Sequence, residues 1–196
     1  MTMTLRHFSR DTLPATPWKN GGGTTQEIVC WPPGAALDDF GWRVSIATIA
    51  AAGPFSQFAG IDRSIMLLDG DGVRLRSDDG RIDHCLDAPH RPFAFSGDAA
   101  IDCALLGGAS SDFNVMARRG QWRAELRVID GASSISSALH GVLLSLRGDW
   151  RLNADGLACR EGEGLCWTDA AHAWQVEPAG ANARLAVVRL TRLETT

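Results

Sequence analysis

The chain has 196 residues and a formal net charge of −4, with 45% hydrophobic and 21% charged residues. These values are typical of a globular protein with one large or two small domains, and they provide no positive field that would attract nucleic acid. No stretch approaches the roughly 20 apolar residues of a membrane span, and the first ten residues lack the apolar core of a secretory signal. We therefore expect a cytoplasmic protein without membrane or nucleic-acid partners.

A glycine-rich segment at residues 17–27, Pro-Trp-Lys-Asn-Gly-Gly-Gly-Thr-Thr-Gln-Glu, is the first element with unusual chemistry. Three consecutive glycines favour positive φ angles or a close approach of the backbone to another group. Backbone N–H groups in such a turn form a concavity that suits an anion. Lys19, the only lysine among nineteen basic residues, is a candidate for binding a carboxylate with Asn20 and Thr25, and Trp18 is a candidate wall. The alternative is a flexible hairpin tip.

The next segment, Trp-Arg-Val-Ser-Ile-Ala at 42–47, alternates polar and apolar residues as a strand does. Arg43, Ser45 and Ala47 share one face, because successive side chains of a strand point to opposite sides. If that face lies inside a barrel, Arg43 is a buried cation that needs a partner. If the face points to water, Arg43 is an ordinary surface residue. Arg43 and Ser45 are both candidate ligand-binding residues.

A Pro- and Gly-containing loop at residues 53–63 leads into a predicted strand at 64–68 and ends on Arg63. An arginine fixed at a strand entrance is well placed to hold a carboxylate with two parallel hydrogen bonds. The alternative is an intramolecular ion pair with a neighbouring aspartate. Phe55 and Phe58 in this loop are more typical of a core than of a ligand wall.

Turn signals and a repeat organise the rest of the chain. Asp79-Gly80 predicts a tight hairpin, and the best helix candidate is residues 133–140. Leu-Leu-Asp-Gly-Asp-Gly-Val-Arg-Leu from residue 67 resembles Ser-Leu-Arg-Gly-Asp-Trp-Arg-Leu from residue 145. Since Gly-Asp turns are common in any β protein, the match can arise by chance. The preferred interpretation is a duplicated small β-barrel, with few short helices.

Motifs for metal binding and for the usual nucleophiles are absent from the sequence. No His-x-His pair with a further Glu and His surrounds the glycine-rich hairpins, and no Gly-x-Ser-x-Gly or His-Glu-x-x-His motif occurs. Five cysteines without a Cys-x-x-Cys pair indicate reduced thiols. We predict no metal, no cofactor and no catalytic residue. An enzyme would have only weak candidates for a general base, namely Glu27, His84 and His90.

Together, the motifs at 17–28, 42–47 and 53–63 resemble the HutD/Ves family in order and spacing. The resemblance continues through Leu-Leu-Asp-Gly-Asp-Gly at 67–72 and Asp-Phe-Asn-Val-Met-Ala-Arg-Arg-Gly at 112–120. It implies an all-β, duplicated cupin-type β-barrel, or bicupin, without a catalytic metal. We expect residues 1–196 to form a single bicupin unit, with an N-terminal half at 1–120 and a C-terminal half at 121–196. The residues joining the halves, Asn114 among them, are interpreted as structural.

The family occurs among bacterial histidine-utilisation genes, and its members are thought to bind a pathway intermediate. The resemblance therefore implies a non-catalytic protein that binds a small acidic metabolite, N-formylglutamate, formiminoglutamate or urocanate, and moderates the pathway. It places Arg63 first among the ligand-binding residues and Lys19 and Asn20 next. An alternative is a metal-independent isomerase or hydrolase acting on a small acid or sugar, and a homodimer is left open.

Overall fold

The computed structural model describes residues 4–153 and 156–194, and within these ranges every regular element is a β-strand. The predicted all-β class is thereby confirmed. The strands are β1 (Thr4–Ser9), β2 (Ala15–Pro17), β3 (Gly23–Trp31), β4 (Trp42–Ile49), β5 (Gly53–Pro54), β6 (Ile61–Gly70), β7 (Val73–Ser77), β8 (Asp83–Leu86), β9 (Pro92–Ser96), β10 (Ile101–Leu105), β11 (Ser110–Arg118), β12 (Trp122–Ile129), β13 (Ser133–Ala138), β14 (His140–Arg147), β15 (Trp150–Leu152), β16 (Leu157–Cys159), β17 (Glu163–Thr168), β18 (His172–Pro178) and β19 (Arg184–Arg192).

The chain divides into two compact units. The N-terminal unit comprises Pro14–Gln121, and the C-terminal unit joins the residues up to Leu13 to the chain from Trp122 onward. Strand β1 belongs to the C-terminal unit because it pairs with β17 along its whole length. These first residues were expected in the N-terminal half, and the division into halves at 1–120 and 121–196 stays a prediction.

The N-terminal unit consists of two antiparallel sheets around one core. The larger sheet has the order β2-β3-β4-β11-β6-β9, and the smaller sheet has the order β5-β10-β7-β8. Both sheets contribute apolar side chains to the core, for example Ile65 and Leu67 from the larger sheet and Leu75 and Cys103 from the smaller one. The core therefore lies between the two sheets.

The corner between β6 and β7 depends on glycine. Gly70 and Gly72 have φ angles of 96° and 90°, a region that residues with a Cβ atom rarely adopt. A Cβ atom at either position would also collide with backbone atoms, those of Ala109 or Leu86. The following hairpin joins β7 to β8 and contains Gly80 at a φ of 70°, as the Asp-Gly signal predicted.

The C-terminal unit also has two antiparallel sheets, with the orders β1-β17-β14-β19-β12 and β13-β18-β15-β16. Three fully buried tryptophans, Trp150, Trp167 and Trp174, fill its core together with aliphatic side chains from both sheets. The indole N–H of Trp167 donates a hydrogen bond to the Ala138 carbonyl at 2.9 Å. The interior of this unit is thus packed mainly with apolar groups.

The helix predicted at residues 133–140 is wrong. Residues Ser133–Ala138 form β13, and His140 begins β14. Serine is a mediocre helix former, and Ile135, the large apolar residue of β13, is fully buried opposite Trp174 of β18. Pairing with β18 therefore determines the conformation of residues 133–138, because tertiary contacts commonly override a weak local preference for helix or strand.

Candidate functional site

The larger sheet of the N-terminal unit carries a set of polar side chains on its inner face. Cross-strand partners in a sheet point to the same side, so the register shows which residues share this face. Side chains from β4, β11 and β6 form three successive rows. These rows are Arg43, Met116 and Arg63, then Ser45, Asn114 and Ile65, then Ala47, Asp112 and Leu67.

These rows face the interior of the unit. Ile65 and Leu67 belong to the buried core between the two sheets. Burial and, to a smaller extent, the charge of nearby Asp112 raise the pKa of the Cys103 thiol to about 12. Asp112 therefore lies close to the opposite sheet, to which Cys103 belongs. The polar groups of the rows are consequently enclosed between the sheets.

Arg63 is the main cation of this interior, with a relative exposure of 7%. Its guanidinium carbon lies 5.5, 5.5 and 5.0 Å from the ring centroids of Phe55, Phe58 and Phe95. One Nη atom donates a long hydrogen bond, 3.4 Å, to the Ser56 carbonyl. Three aromatic rings and one weak acceptor thus surround most of the charge.

The Arg63 charge lacks a close anionic partner. Its Nε atom is buried without a hydrogen-bond partner, and among the described residues it forms no ion pair. Burial lowers the pKa of Arg63 to about 10, while Asp112 raises it and Arg43 lowers it further. The guanidinium therefore stays charged at neutral pH, in a position where a buried charge is expensive unless it is paired.

Asp112 is the anionic group of the same interior, with a relative exposure of 3%. Burial raises the pKa of its carboxyl to about 7, and the nearby Arg63 charge partly opposes this rise. Its Oδ1 atom has no hydrogen-bond partner. Near neutral pH, Asp112 is therefore divided between its protonated and its charged form.

Asn114 lies between Asp112 and the row of Arg63, with a relative exposure of 8%. Its Nδ2 group donates only a weak contact, 3.7 Å, to the Met116 sulfur, and its Oδ1 atom is buried without a hydrogen-bond partner. Few buried side-chain polar atoms in proteins lack a partner. Asp112 and Asn114 together therefore present two free acceptors on the same inner face as a free donor of Arg63.

Arg43 and Ser45 complete the polar rows on β4. The Arg43 Nε atom donates a 2.7 Å hydrogen bond to Glu27, so its charge already has a carboxylate partner. Ser45 is fully buried. The structure thus brings Arg63, Arg43 and Ser45 to one inner face, as the polar strand pattern suggested for the last two.

The hairpin between β2 and β3 holds the other predicted residues. The Trp18 indole N–H donates a 2.7 Å hydrogen bond to the Thr25 hydroxyl, and the Trp18 ring packs against the core of the unit. Thr25 pairs with Ala47, in the row of Asp112. Trp18 and Thr25 therefore line the interior at the end of the rows that is farther from Arg63.

Lys19 and Asn20 are exposed at the tip of this hairpin. The hairpin tip lies beyond Gly23, which pairs with Ile49, six residues along β4 from Arg43. At about 3.3 Å per strand residue this separation is roughly 20 Å. The structure does not bring Lys19 and Asn20 beside Arg63.

The three consecutive glycines have structural roles in the hairpin. The N–H of Gly21 donates to the Trp18 carbonyl, and the N–H of Gly22 donates to the Asn20 side chain at 3.0 Å. A Cβ atom at Gly23 would collide with the Thr48 carbonyl and press on the Trp18 ring. Two of the N–H groups that suggested an anion site are therefore already bonded within the hairpin.

An open cleft of about 360 Å³ lies on the surface of the N-terminal unit. Phe58 lines this cleft and also contacts the Arg63 guanidinium. Arg118 also lines the cleft and donates to the Phe40 and Asp38 carbonyls at 2.9 and 3.0 Å. The Phe58 side chain therefore contacts both the cleft and the buried Arg63 guanidinium.

Sequence reasoning missed Asp112 and gave Asn114 a structural role. The signal was present, because Asp112, Asn114 and Met116 alternate along β11 in the segment Ser-Asp-Phe-Asn-Val-Met. Which of the two strand faces is the inner one depends on pairing with β4 and β6, and that pairing cannot be derived from a single strand.

Other site types find no support among residues 4–153 and 156–194. No group of three or more His, Cys, Asp or Glu side chains in these ranges is arranged to hold a metal ion. The same residues include no helix long and apolar enough to span a membrane. All five cysteines are free thiols, as predicted.

The comparisons with known proteins agree on one family. The HutD family model matches residues 10–185. The chain is 39% identical to protein Ves of Citrobacter koseri over 169 residues, 86% of this chain and 85% of the relative. It is 49% identical to an uncharacterised 21.2 kDa protein from the region 3′ of hutC in Pseudomonas putida over 140 residues, 71% of this chain and 72% of the relative.

Solved structures show the same relationship and a wider fold group. The structure of HutD from Pseudomonas fluorescens SBW25, obtained in a formate condition, superposes with a TM-score of 0.84 at 31% identity, covering 97% of this chain and 100% of that one. The Escherichia coli protein YlbA superposes with a TM-score of 0.68 at 10% identity, covering 98% and 93%. The second likeness concerns the fold alone, which is a cupin-like β fold.

Proposed function

Because the chain belongs to the HutD family, which is associated with histidine utilisation, we propose that it binds a small acidic intermediate of histidine degradation. The ligand lies in the interior of the N-terminal unit, with a carboxylate on Arg63. Binding moderates the pathway, and the protein does not turn the ligand over. The candidates are N-formylglutamate, formiminoglutamate and urocanate.

The state of Arg63 is the observation that carries this proposal. A buried guanidinium with an unpartnered Nε atom is costly to the folded protein. A carboxylate repays this cost with charge-assisted hydrogen bonds, which are about twice as strong as neutral ones. The Phe55, Phe58 and Phe95 rings around the guanidinium exclude water and provide an apolar wall.

The remaining binding residues follow from their positions. Arg43 and Ser45 lie on the same inner face as Arg63 and would contact the ligand next to it. Thr25 and Trp18 close the far end of the rows. The contribution of Lys19 and Asn20 stays a prediction.

We also propose that the two units arose by duplication, giving a bicupin. Two features support this interpretation. The order β4-β11-β6-β9 in the N-terminal unit has the counterpart β12-β19-β14-β17, and β5-β10-β7-β8 has the counterpart β13-β18-β15-β16. The sequence resemblance between residues 67–80 and 145–156 falls on matching corners, where Gly70 and Gly148 both have positive φ angles.

Isothermal titration of the purified protein with each of the three acids tests the binding proposal. We expect saturable binding of at least one acid and a loss of about 30-fold or more in affinity on Arg63→Ala, because truncating one partner of a buried charge pair typically costs 2 kcal/mol or more. Arg76→Ala removes the same charge from an exposed position of the same unit and serves as the matched control.

Arg63→Lys separates the contribution of the positive charge from that of the planar guanidinium, since it keeps the first and removes the second. Cooperative thermal unfolding of each variant establishes that it is folded. An Arg63→Ala variant that is folded and binds as tightly as the parent would show that the site is wrong. Absence of binding by all three acids would contradict the proposed ligand class.

A metal-independent enzyme is a second candidate function because of the Asp112 carboxyl group. A pKa near 7 suits a general base, and Asp112 has such a value, whereas Glu27 is paired with Arg43 and His84 is stacked on Phe93 at 3.8 Å. Incubation of each acid with the protein and analysis by NMR decides between the two functions. Product formation that disappears in Asp112→Asn would establish the enzyme.

A further inference from the structure

Three unpartnered polar atoms lie in the interior of the N-terminal unit, and they are of opposite kinds. Arg63 offers a free donor, its Nε–H group, whereas Asp112 and Asn114 each offer a free acceptor, an Oδ1 atom. The three side chains are 7%, 3% and 8% exposed, so bulk water does not satisfy them. One hydrogen-bond donor and two acceptors of this interior therefore lack a partner.

The strand register arranges these atoms in order. Arg63 lies in the row of Met116, and Asn114 and Asp112 occupy the next two rows along the same inner face of β11. Successive positions on one face of a strand are about 7 Å apart. A ligand whose carboxylate lies on Arg63 would therefore extend along the rows and place its other end near Asn114 and Asp112.

A ligand with only carboxylate groups does not complete this interior. Its oxygen atoms satisfy the Arg63 donor but bring further acceptors towards Asn114 and Asp112, and its charge opposes that of an ionised Asp112. An N–H group at the far end satisfies one of the two free acceptors. A site built to hydrogen-bond a ligand group rejects analogues that lack it, because its own polar atoms are then left unpaired.

We infer that Asp112 and Asn114 recognise an N–H donor of the ligand, so that the site selects acids carrying such a group over plain carboxylates of the same size. This inference rests on the proposed function and specifies its ligand class. The selected chemistry is a carboxylate joined to an amide, formimino or imidazole N–H. Asp112 and Asn114 then determine specificity, and Arg63 contributes affinity for every carboxylate.

A matched pair of acids tests the inference directly. Urocanate and 3-(2-furyl)acrylate have the same acrylate chain on a planar five-membered ring, but the furan ring has no N–H group. Calorimetric titration of the unmodified protein with both acids should show a preference of about tenfold or more for urocanate, as expected for one hydrogen bond to a charged or buried acceptor.

Variants assign this preference to the two side chains. Asn114→Leu and Asp112→Leu each remove an acceptor and should reduce the preference to about threefold or less, while Asp102→Leu, at an exposed position of β10, should leave it unchanged. The ratio of the two affinities is the quantity measured, because a variant that weakens both acids equally does not change it. Thermal unfolding of each variant verifies that the protein is folded.

The outcomes separate the inference from the proposed function. Equal affinity of the unmodified protein for both acids overturns the inference and leaves the proposed function standing. A preference that survives in both variants overturns the assignment to Asp112 and Asn114, and buried waters then satisfy these atoms. If neither acid binds and N-formylglutamate does not bind either, the proposed function fails and the inference fails with it.

Discussion

The interiors of the two units are filled by different kinds of side chains. If the strands correspond as proposed, with Gly70 matched to Gly148, then Gly141 stands where the N-terminal unit has Arg63. In the same register Leu185 and Val187 replace Asp112 and Asn114. A Cβ atom at Gly141 would collide with the Trp167 ring, so this ring occupies the space next to the missing arginine.

This difference suggests a division of roles between the two units. Apolar side chains close-packed in a core contribute favourable free energy of burial, about 25 cal/mol per Å². Unpaired buried polar groups oppose folding and are typical of functional sites. We therefore propose that the mainly apolar C-terminal interior is structural, and that the N-terminal interior, with its buried Arg63, Asp112 and Asn114, is the one that binds a ligand. Four variants test this contrast.

The largest effect is expected when a carboxylate is placed in the C-terminal interior. Leu185→Asp puts an acid at the position that corresponds to Asp112, but in a fully buried apolar core. A buried charge without a cationic partner should lower the free energy of unfolding by about 4 kcal/mol or more. Urea denaturation measures this change, and Leu37→Asp, at an exposed position, should cost less than about 1 kcal/mol. A mild effect of Leu185→Asp would contradict the contrast.

A smaller loss is expected from Gly141→Ala. The added methyl group collides with Trp167 and with the Val188 carbonyl, and overpacking of a core costs about 1–3 kcal/mol. Gly131→Ala is the matched control, because a Cβ atom at Gly131 meets no atom within 4 Å. The two free energies of unfolding, compared by urea denaturation, should differ by at least about 1 kcal/mol. Equal stability of the two variants would mean that Trp167 can move aside.

The pH dependence of stability should reveal Asp112. Its pKa is raised by burial to about 7, so its contribution is fully present below the unfolded pKa of about 4 and is lost as the pH rises through 7. Between pH 5 and pH 7 the free energy of unfolding of the parent should fall by about 2 kcal/mol relative to Asp112→Asn, at about 1.4 kcal/mol per pH unit. Of the neighbouring ionisable groups, Arg63 and Cys103 keep their charge states over this range, because their pKa values are about 10 and about 12.

His140 of the C-terminal unit has the opposite effect and must be separated from Asp112. Burial lowers its pKa to about 4, so its contribution is present above the unfolded pKa of about 6.5 and is lost as the pH falls through 4. The difference between parent and Asp112→Asn cancels this contribution, since both proteins contain His140. A pH-independent difference would show that Asp112 has an ordinary pKa.

The smallest effect is expected for Lys19→Ala. Lys19 is exposed at the hairpin tip, roughly 20 Å along β4 from the row of Arg63. Calorimetric titration should show a change in ligand affinity of less than about threefold, compared with about 30-fold for Arg63→Ala. A loss as large as that of Arg63→Ala would place Lys19 in the site, as the sequence motif alone suggested.

The sequence predicted several of the strands and part of the polar inner face for clear physical reasons. Alternation of side chains along residues 43–49 identified a strand and its polar face. Arg63 was expected at the entrance of a strand at 64–68, where it would hold a carboxylate, but the strand begins at Ile61 and Arg63 is its third residue. The helix at 133–140 failed because Ile135 is held by pairing with β18, a contact between segments far apart in the chain. Asp112 was missed for a similar reason, since its burial depends on the strands on both sides of β11.

The glycine-rich hairpin shows a different limit. A run of glycines indicates that the backbone needs room, but it does not indicate what approaches. In this protein the approaching groups are the Thr48 carbonyl and the Trp18 ring, so part of the motif that suggested anion binding serves the packing of the hairpin. Anion binding and hairpin packing are distinguished only by where the hairpin lies relative to the inner-face rows of β4.

The proposed binding of a ligand carboxylate to Arg63 is tested most directly by two crystal structures, one from a crystal soaked with urocanate and one from a crystal soaked with N-formylglutamate. We expect at least one ligand in the interior of the N-terminal unit, with a carboxylate oxygen within about 3.2 Å of the Arg63 guanidinium. The C-terminal interior should stay closed by its three tryptophans. A bound ligand that does not contact Arg63, or that lies in the C-terminal unit, would contradict the account.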